Sequence, residues 1–294
     1  MPAGGALQRV PPSAFFLVSA IFHYLGPSFA VLLFARLDVP GVAWLRIASA
    51  AVVFALWRRP WRTVLRMERQ RRWTIIQLGV VLATMNLFFY FAVDRLPLST
   101  VGAIEFLGTV GIAAYGFRTL RNFIALGLTT LGIAAITQIR LAGEPVGFAF
   151  AFTNCVLFGL YIILGHRIAN TSAAENHYGK ASPSNIDQLA ASMLVAAVVI
   201  TPAGLLGAWP AFSNVSLLSA GVLVGVSSSV IPYITDQLAM ARLGRATFAL
   251  MLALLPVFAT IIGALVLHQH PTMQDILGIA LVAGGVAIHR QEKQ

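Results

Sequence analysis

The sequence predicts an all-α polytopic membrane protein with ten transmembrane helices in two inverted five-helix repeats. The first observation is composition: only 10% of the 294 residues are charged and 58% are hydrophobic, whereas a soluble domain is about 25% charged. The second is that runs of 18 to 25 residues pass without a charged side chain, which is typical of helices that cross a bilayer. The third is a weak internal repeat between the two halves of the chain.

The distribution of basic residues indicates a lipid surface rather than a nucleic acid as partner. The formal net charge is +10, but seven of the 20 Lys and Arg residues lie between Arg58 and Arg72, in a short stretch that separates two apolar runs. This pattern is typical of a cytoplasmic loop that faces anionic lipid. The low charge elsewhere excludes a water-soluble globular enzyme.

Apolar windows of about 19 residues, bounded by charges or by Pro and Gly, predict the membrane spans. The first span is longer than the core of a signal peptide, so we expect it to be retained. The predicted spans are residues 14–35, 39–57, 73–93, 98–117, 121–140, 146–166, 185–206, 214–236, 243–267 and 272–289.

The charges that flank these spans predict the orientation. With the N-terminus inside, 16 Lys and Arg residues fall in cytoplasmic segments, and only Arg36, Arg95 and Arg140 fall outside. Because positive residues are retained on the cytoplasmic side, both termini should face the cytoplasm. Tryptophans flank the basic loop and Trp209 lies at the opposite face, as in an aromatic belt.

Two pairs of segments align between the halves of the chain. Residues 90–111 align with 237–258, and residues 44–60 align with 186–202 without a gap. With five spans in each half, the odd number places the two copies in opposite orientations, as in transporters whose similar halves exchange conformations. The alternative is that the alignment reflects composition rather than a repeat, because any two helices rich in Leu, Ala and Gly have similar sequences. The predicted domains are residues 14–140 and 146–289.

Glu105 is the one carboxyl group deep in a predicted span. Helical spacing puts Gly102, Gly108 and Thr109 on its face. Charged residues at that depth usually face a bundle interior or a water-filled cavity, so Glu105 is a candidate proton carrier or a partner for a substrate ammonium. The alternative is a protonated Glu105 that bonds a neighbouring helix for structure alone.

Arg46 and Asp236 are the other two charged candidates. Arg46 lies inside the second span, where its side chain either snorkels to the outer interface or meets an anionic substrate group or Glu105. Asp236 closes the eighth span on one face with Ser229 and Tyr233, which indicates either a cavity lining or a solvated helix end.

Uncharged polar residues recur along other spans. Asn86, Tyr90 and Asp94 are spaced at i, i+4 and i+8 in the third span. They form a stripe that either lines a pathway or bonds helices together.

A weaker stripe in the sixth span joins Asn154 and Tyr161. His23 lies in the middle of the first span, where it either serves transport or is a packed, hydrogen-bonded histidine. Pro27 and Pro232 interrupt helices, and they either free carbonyl groups toward a site or only bend the helix.

No sequence motif indicates catalysis or a cofactor. The chain has no glycine-rich phosphate loop followed by Lys and Ser or Thr, no Gly-x-Ser-x-Gly elbow and no His-Glu-x-x-His. His268, His270 and Asp275 lie at the ninth-to-tenth turn but lack the further ligands of a metal site. We therefore expect no enzyme activity, no cofactor and no metal.

Five segments carry a resemblance to a known family. They are Pro40-Gly41-Val42 before Leu45-Arg46, Met85-Asn86 before Tyr90, Leu96-Pro97-Leu98 before Glu105-Phe106, Tyr161 with Gly165 and Arg167, and Pro232-Tyr233 before Arg242-Leu243. These segments resemble the EamA-type carriers of the drug/metabolite transporter superfamily, whose chains are ten helices in two inverted repeats. Within that family they look most like the threonine and homoserine exporter branch.

The resemblance implies efflux of a small amino acid or related metabolite across the bacterial inner membrane. The residues it places near a central cavity are Arg46, Asn86, Tyr90, Glu105, Tyr161 and Tyr233. The exporter branch carries Glu-Pro and Gly-Glu pairs in its second repeat, where this chain has Leu255-Pro256 and His268-Gln269. Because one carboxylate of the family's pair is absent, the sequence leaves substrate identity and proton coupling open.

The leading hypothesis is a secondary transporter in the inner membrane that binds a small molecule between its repeats and exports it by alternating access. Proton coupling and uncoupled facilitation are both open, and the working unit is a monomer or a dimer in contact with membrane lipid. The rival hypothesis is a membrane binding or assembly protein that moves no solute.

Overall fold

The computed structural model describes residues 10–64, 67–96, 98–116, 119–137, 145–177, 184–266 and 272–289. Across these ranges the chain is helical and no strand occurs, which confirms the all-α class. The predicted ends of the fourth, fifth and ninth spans, at residues 117, 140 and 267, lie outside the described residues.

The helices follow the predicted order along the chain. They are α1 (Pro12–Leu33), α2 (Val39–Arg58), α3 (Arg69–Val93), α4 (Leu98–Gly116), α5 (Leu120–Thr137), α6 (Pro145–His177), α7 (Asn185–Phe212), α8 (Val215–Gly225, a π-helical turn Val226–Val230 and Ile231–Met240), α9 (Arg245–Met251, a 3-10 turn Leu252–Leu254 and Leu255–Val266) and α10 (Met273–Ile288). A further helical turn, Trp61–Val64, follows α2.

Seven helices in the described part of the chain are long and apolar enough to cross a membrane. They are α1, α2, α3, α6, α7, α8 and α9. Shorter apolar stretches occur in α5, at Leu120–Ala135, and in α10, at Ile276–Ile288. The chain is therefore a multi-pass membrane protein, and the count of ten spans stays a prediction.

Helices α6 and α7 extend beyond their predicted spans. α7 begins where the Ser184 hydroxyl accepts a hydrogen bond from the Asp187 backbone N–H, a typical N-cap that offsets an unpaired donor. It then runs to Phe212, although Pro202 and Pro210 lie inside it. Proline is tolerated in membrane helices because neighbouring groups compensate the lost backbone hydrogen bond. Neither proline therefore ends this helix.

The largest helix contacts are related by an exchange of the two halves of the chain. If each helix is replaced by the one five positions away in helix order, such a pair becomes a pair that is also in contact. α2 packs on α7, α4 on α9 and α5 on α10, and each of these pairs maps onto itself. The contact of α1 with α8 corresponds to that of α6 with α3, and the contact of α1 with α9 to that of α6 with α4. The core therefore lies between the two halves of the chain.

Glycines allow the close approach of α2 to its neighbours. A Cβ atom at Gly41 would overlap the backbone of Gly207 on α7, and one at Gly204 would overlap the Pro40 carbonyl group. Likewise, a Cβ at Gly225 on α8 would overlap the side chain of a serine on α2. Small residues at such crossings let membrane helices pack backbone against backbone.

We predict that Gly41→Ala lowers the free energy of unfolding by about 1–3 kcal/mol, because the added methyl group overpacks the contact between α2 and α7. Gly127 in α5 is the matched control, since a Cβ there meets nothing within 4 Å. Gly127→Ala should be neutral or stabilising by up to about 1 kcal/mol. Thermal unfolding in detergent measures both, and equal midpoints for the two variants would contradict this close packing.

Candidate functional site

Helix α8 changes its geometry in the middle of the bundle, and Pro232 is the cause. Proline has no backbone N–H, so Pro232 cannot donate to the carbonyl group of Ser228 four residues earlier. The chain forms the π-helical turn Val226–Val230 at this point. The Ser228 carbonyl oxygen instead accepts a hydrogen bond from Arg46 Nη2 at 2.8 Å. Of the two roles predicted for Pro232, the structure shows the freed carbonyl group.

Arg46 is held inside the bundle by three kinds of contact. Besides the Ser228 carbonyl group, its Nε atom donates to the Ser229 hydroxyl at 2.9 Å, and its guanidinium lies 5.4 Å from the centre of the Tyr90 ring. The side chain is only 4% exposed, so the prediction that it snorkels to the interface is wrong. Between Arg46 and Glu105 the structure has no ion pair within 4.0 Å.

Asn86 and Tyr233 connect the two halves of the chain. The Asn86 side-chain amide donates to the Tyr233 hydroxyl at 3.1 Å and to the Leu82 carbonyl oxygen at 2.7 Å. The two residues are 147 positions apart, and the alignment of residues 90–111 with 237–258 has the same offset. If that alignment extends four residues further toward the N-terminus, the predicted repeat pairs Asn86 with Tyr233.

Glu105 is 6% exposed and accepts a hydrogen bond from the Asn154 side-chain amide of α6 at 3.0 Å. Neighbouring helices approach the glycines on its face closely: a Cβ at Gly102 would lie 2.6 Å from the Tyr24 hydroxyl, and one at Gly108 would lie 3.0 Å from the Cys155 sulfur. The bond to α6 fits the structural reading of Glu105. Glu105 also lines a small cavity, and this position fits the predicted role as a proton carrier or as the partner of a substrate ammonium.

Asp236 is 1% exposed, so the prediction of a solvated helix end is wrong. The Tyr161 hydroxyl donates to one carboxyl oxygen at 2.9 Å, and the Ser19 hydroxyl donates to the other. Sequence reasoning missed Ser19. The available signal was its position one turn before His23 on α1, because residues at i and i+4 share a helix face.

His23 lies among aromatic rings. Its ring centre is 6.1 Å from that of Phe158 and 6.4 Å from that of Tyr233. Tyr233 also contacts Tyr161, with ring centres 5.4 Å apart. The structure thus brings all eight predicted site residues into one region of the core. Asp94, the last member of the predicted stripe on α3, lies apart at the helix end, 3.6 Å from Arg95.

A small cavity opens between these side chains. Its lining residues are His23, Pro27, Arg46, Met85, Asn86, Phe89, Glu105, Asn154 and Tyr233. The volume is about 20 Å³, enough for about one water molecule. An arginine and a glutamic acid therefore face one narrow space, with amide and hydroxyl groups between them.

The described residues contain no group of three His, Cys, Asp or Glu side chains arranged to hold a metal ion. His268 and His270 lie outside the described residues, as does the side chain of Asp275.

Comparison with known proteins identifies similar membrane carriers. Residues 145–290 match the EamA-like transporter family. The threonine/homoserine exporter RhtA of Escherichia coli (strain K12) is 28% identical over 284 residues, which is 95% of this chain and 92% of that protein. The threonine/homoserine exporter RhtA of Salmonella typhimurium (strain LT2) is 28% identical over 300 residues, which is 99% of this chain and 97% of that protein.

One crystal structure of a protein has the same fold. The superposition covers 94% of this chain and 96% of that chain, with a TM-score of 0.67 and 19% sequence identity. The fold and the matches together define a multi-pass transporter of the bacterial inner membrane. The resemblance seen in the motifs is therefore confirmed: the chain is similar to the EamA-type carriers of the drug/metabolite transporter superfamily and, over nearly its whole length, to the RhtA exporters.

We predict that Tyr161→Phe lowers the free energy of unfolding by about 1–3 kcal/mol, because buried Asp236 loses a hydrogen-bond donor. Tyr24→Phe is the matched control, since the Tyr24 hydroxyl is buried and has no hydrogen-bond partner in the structure. Thermal unfolding of the two variants in the same detergent compares them. A larger loss for Tyr24→Phe would contradict the assigned bond.

Proposed function

We propose that this protein exports a small zwitterionic amino acid, of the size of threonine or homoserine, across the bacterial inner membrane. The observation that carries the proposal is the pair of Arg46 and Glu105 on one buried cavity. The RhtA proteins, which this chain resembles over nearly its whole length, are threonine/homoserine exporters, and this supports the substrate class.

The residues of the cavity suit the three parts of such a substrate. The Arg46 guanidinium can bind the substrate carboxylate, because planar guanidinium groups bind carboxylates with two parallel hydrogen bonds. Glu105 can accept from the ammonium group. Asn86 and Tyr233 offer amide and hydroxyl groups for a side-chain hydroxyl. Since the cavity now holds about one water molecule, a substrate requires the helices around it to move apart.

The movement proposed is alternating access by two inverted repeats, residues 14–140 and 146–289, with ten spans and both termini in the cytoplasm. The packing pattern supports it, because the largest helix contacts map onto one another when each helix is exchanged with the one five positions away. In such proteins the site lies near the middle of the membrane, between the repeats. The bond between Asn86 and Tyr233 lies at that boundary.

Proton exchange at Glu105 is the coupling step of the proposal. A proton and a substrate ammonium each carry one positive charge, so either can compensate the Glu105 carboxylate, and the carboxylate of the bound substrate in turn compensates Arg46. This exchange avoids leaving an uncompensated charge within the membrane, which is costly. An outward substrate step would then accompany an inward proton step.

The test is flux of labelled threonine, homoserine and other amino acids from proteoliposomes, with and without an imposed pH gradient. Glu105→Gln keeps the shape of the side chain but removes the exchangeable charge, so we expect it to abolish gradient-driven flux. Asp94→Asn is the control, because Asp94 lies at the exposed end of α3 beside Arg95 and should keep wild-type flux.

Each other outcome has a defined meaning. If the flux is the same with and without the pH gradient, and the same in wild type and Glu105→Gln, the protein is an uncoupled facilitator rather than a proton-coupled exporter. If the wild-type protein moves no amino acid at all, the proposal is wrong and the rival hypothesis of a binding or assembly protein is favoured.

The orientation has its own test, because Cys155 is the only cysteine in the chain. In a Cys155→Ala background, we predict that Ser213→Cys, between α7 and α8, reacts with a membrane-impermeant maleimide in intact cells. Arg62→Cys, between α2 and α3, should react only after the membrane is opened. The reverse pattern would place the termini outside.

A further inference from the structure

A second and larger cavity lies at the end of the bundle that carries the basic loop, which is the cytoplasmic end in the proposed orientation. Its volume is about 270 Å³, more than ten times that of the central cavity. α3, α6 and α7 enclose it. The rim carries three charged residues, the exposed Glu68 and Arg167 and the half-buried Arg71. The floor holds the buried polar residues Thr74 and Gln188.

We propose that this cavity is an entrance site that binds the carboxylate of a zwitterionic amino acid at Arg71 and Arg167 and its ammonium group at Glu68. The inference rests on the proposed function and adds a first binding site to it. Two guanidinium groups and one carboxylate on the same rim match the two charges of an amino acid, and charge-assisted bonds of this type are stronger than neutral ones.

Polar groups continue from this entrance toward the central cavity. Thr74 and Asn86, one in each cavity, both belong to α3, and twelve residues of helix separate them by about 18 Å. Gln237, one turn after Tyr233 on α8, is fully buried, and neither atom of its side-chain amide has a hydrogen-bond partner.

The backbone position of Gln237 places it between the two cavities. Its carbonyl oxygen accepts a hydrogen bond from Asn185 at 3.1 Å, three residues before Gln188 in the floor of the entrance. A buried amide without partners is costly, and a polar solute that passes from one cavity to the other would satisfy it. A groove that held only a lipid headgroup would need no such polar group in the interior.

The first experiment measures binding at the entrance directly, without transport. In a Cys155→Ala background, Gln70→Cys places a thiol on the cavity lining, and Arg69→Cys places one on the adjacent exposed position outside it. In phosphatidylcholine nanodiscs, saturating threonine should slow the reaction of Gln70→Cys with a small methanethiosulfonate reagent and leave Arg69→Cys unchanged. Acetate, which lacks the ammonium group, should protect much less.

Three results would overturn the entrance site. They are no protection by threonine, equal protection of both thiols, and protection of Gln70→Cys only by anionic lipid, which would make the cavity a headgroup site. If the protein transports threonine but gives one of these results, the entrance site is wrong and the proposed function still stands.

The second experiment separates capture from translocation. Arg71→Gln and Arg167→Gln should each raise the KM for threonine efflux by about tenfold, as expected for loss of a charge-assisted bond, with kcat unchanged. Arg69→Gln removes the same charge from the same end of the bundle, at an exposed position of α3 outside the cavity, and should leave KM unchanged. An equal rise in all three variants would assign the effect to general surface charge and contradict the site.

Discussion

The burial of one positive charge, Arg46, is the constraint on which the rest of the structure depends. A guanidinium inside a bilayer must be satisfied by protein groups, since no bulk water reaches it. Its partners, Ser229 and the Ser228 carbonyl oxygen, belong to α8 in the other half of the chain. The carbonyl group is available because Pro232 cannot bond to it, and the close approach of the two helices requires Gly225.

This arrangement places the site where the halves meet. The second contact across that boundary is the hydrogen bond between Asn86 of α3 and Tyr233 of α8. Any movement of one half against the other must break or rearrange the bonds of Arg46 and of this pair. A substrate carboxylate that replaces Ser229 as the partner of Arg46 would therefore act on the same contacts that hold the halves together, which links binding to movement.

The two halves share a packing pattern but differ in their charges. Arg46 and Glu105 belong to the first half and Asp236 to the second, and only the first two line the central cavity. Leu255 stands where the resemblance to the exporter branch implies a glutamate. Asp236 does not replace it in the cavity, because Ser19 and Tyr161 occupy its oxygens. Charge in the cavity is thus contributed by Arg46 and Glu105 of one half, while the other half contributes the Tyr233 hydroxyl, the Asn154 amide and the Ser228 carbonyl group that binds Arg46.

The sequence by itself determined the membrane environment, most helix bounds and which polar residues lie within the apolar helices. Hydropathy reveals these features because a polar group is costly in a bilayer and stands out within an apolar run. Tertiary structure alone decided four features: the hydrogen-bond partners of Arg46, the burial of Asp236, the bond from Ser19 to Asp236, and the cavity beside Arg71. Periodicity reports which residues share a face of one helix. It carries no information on which face of another helix, 147 or 217 residues away, packs against them.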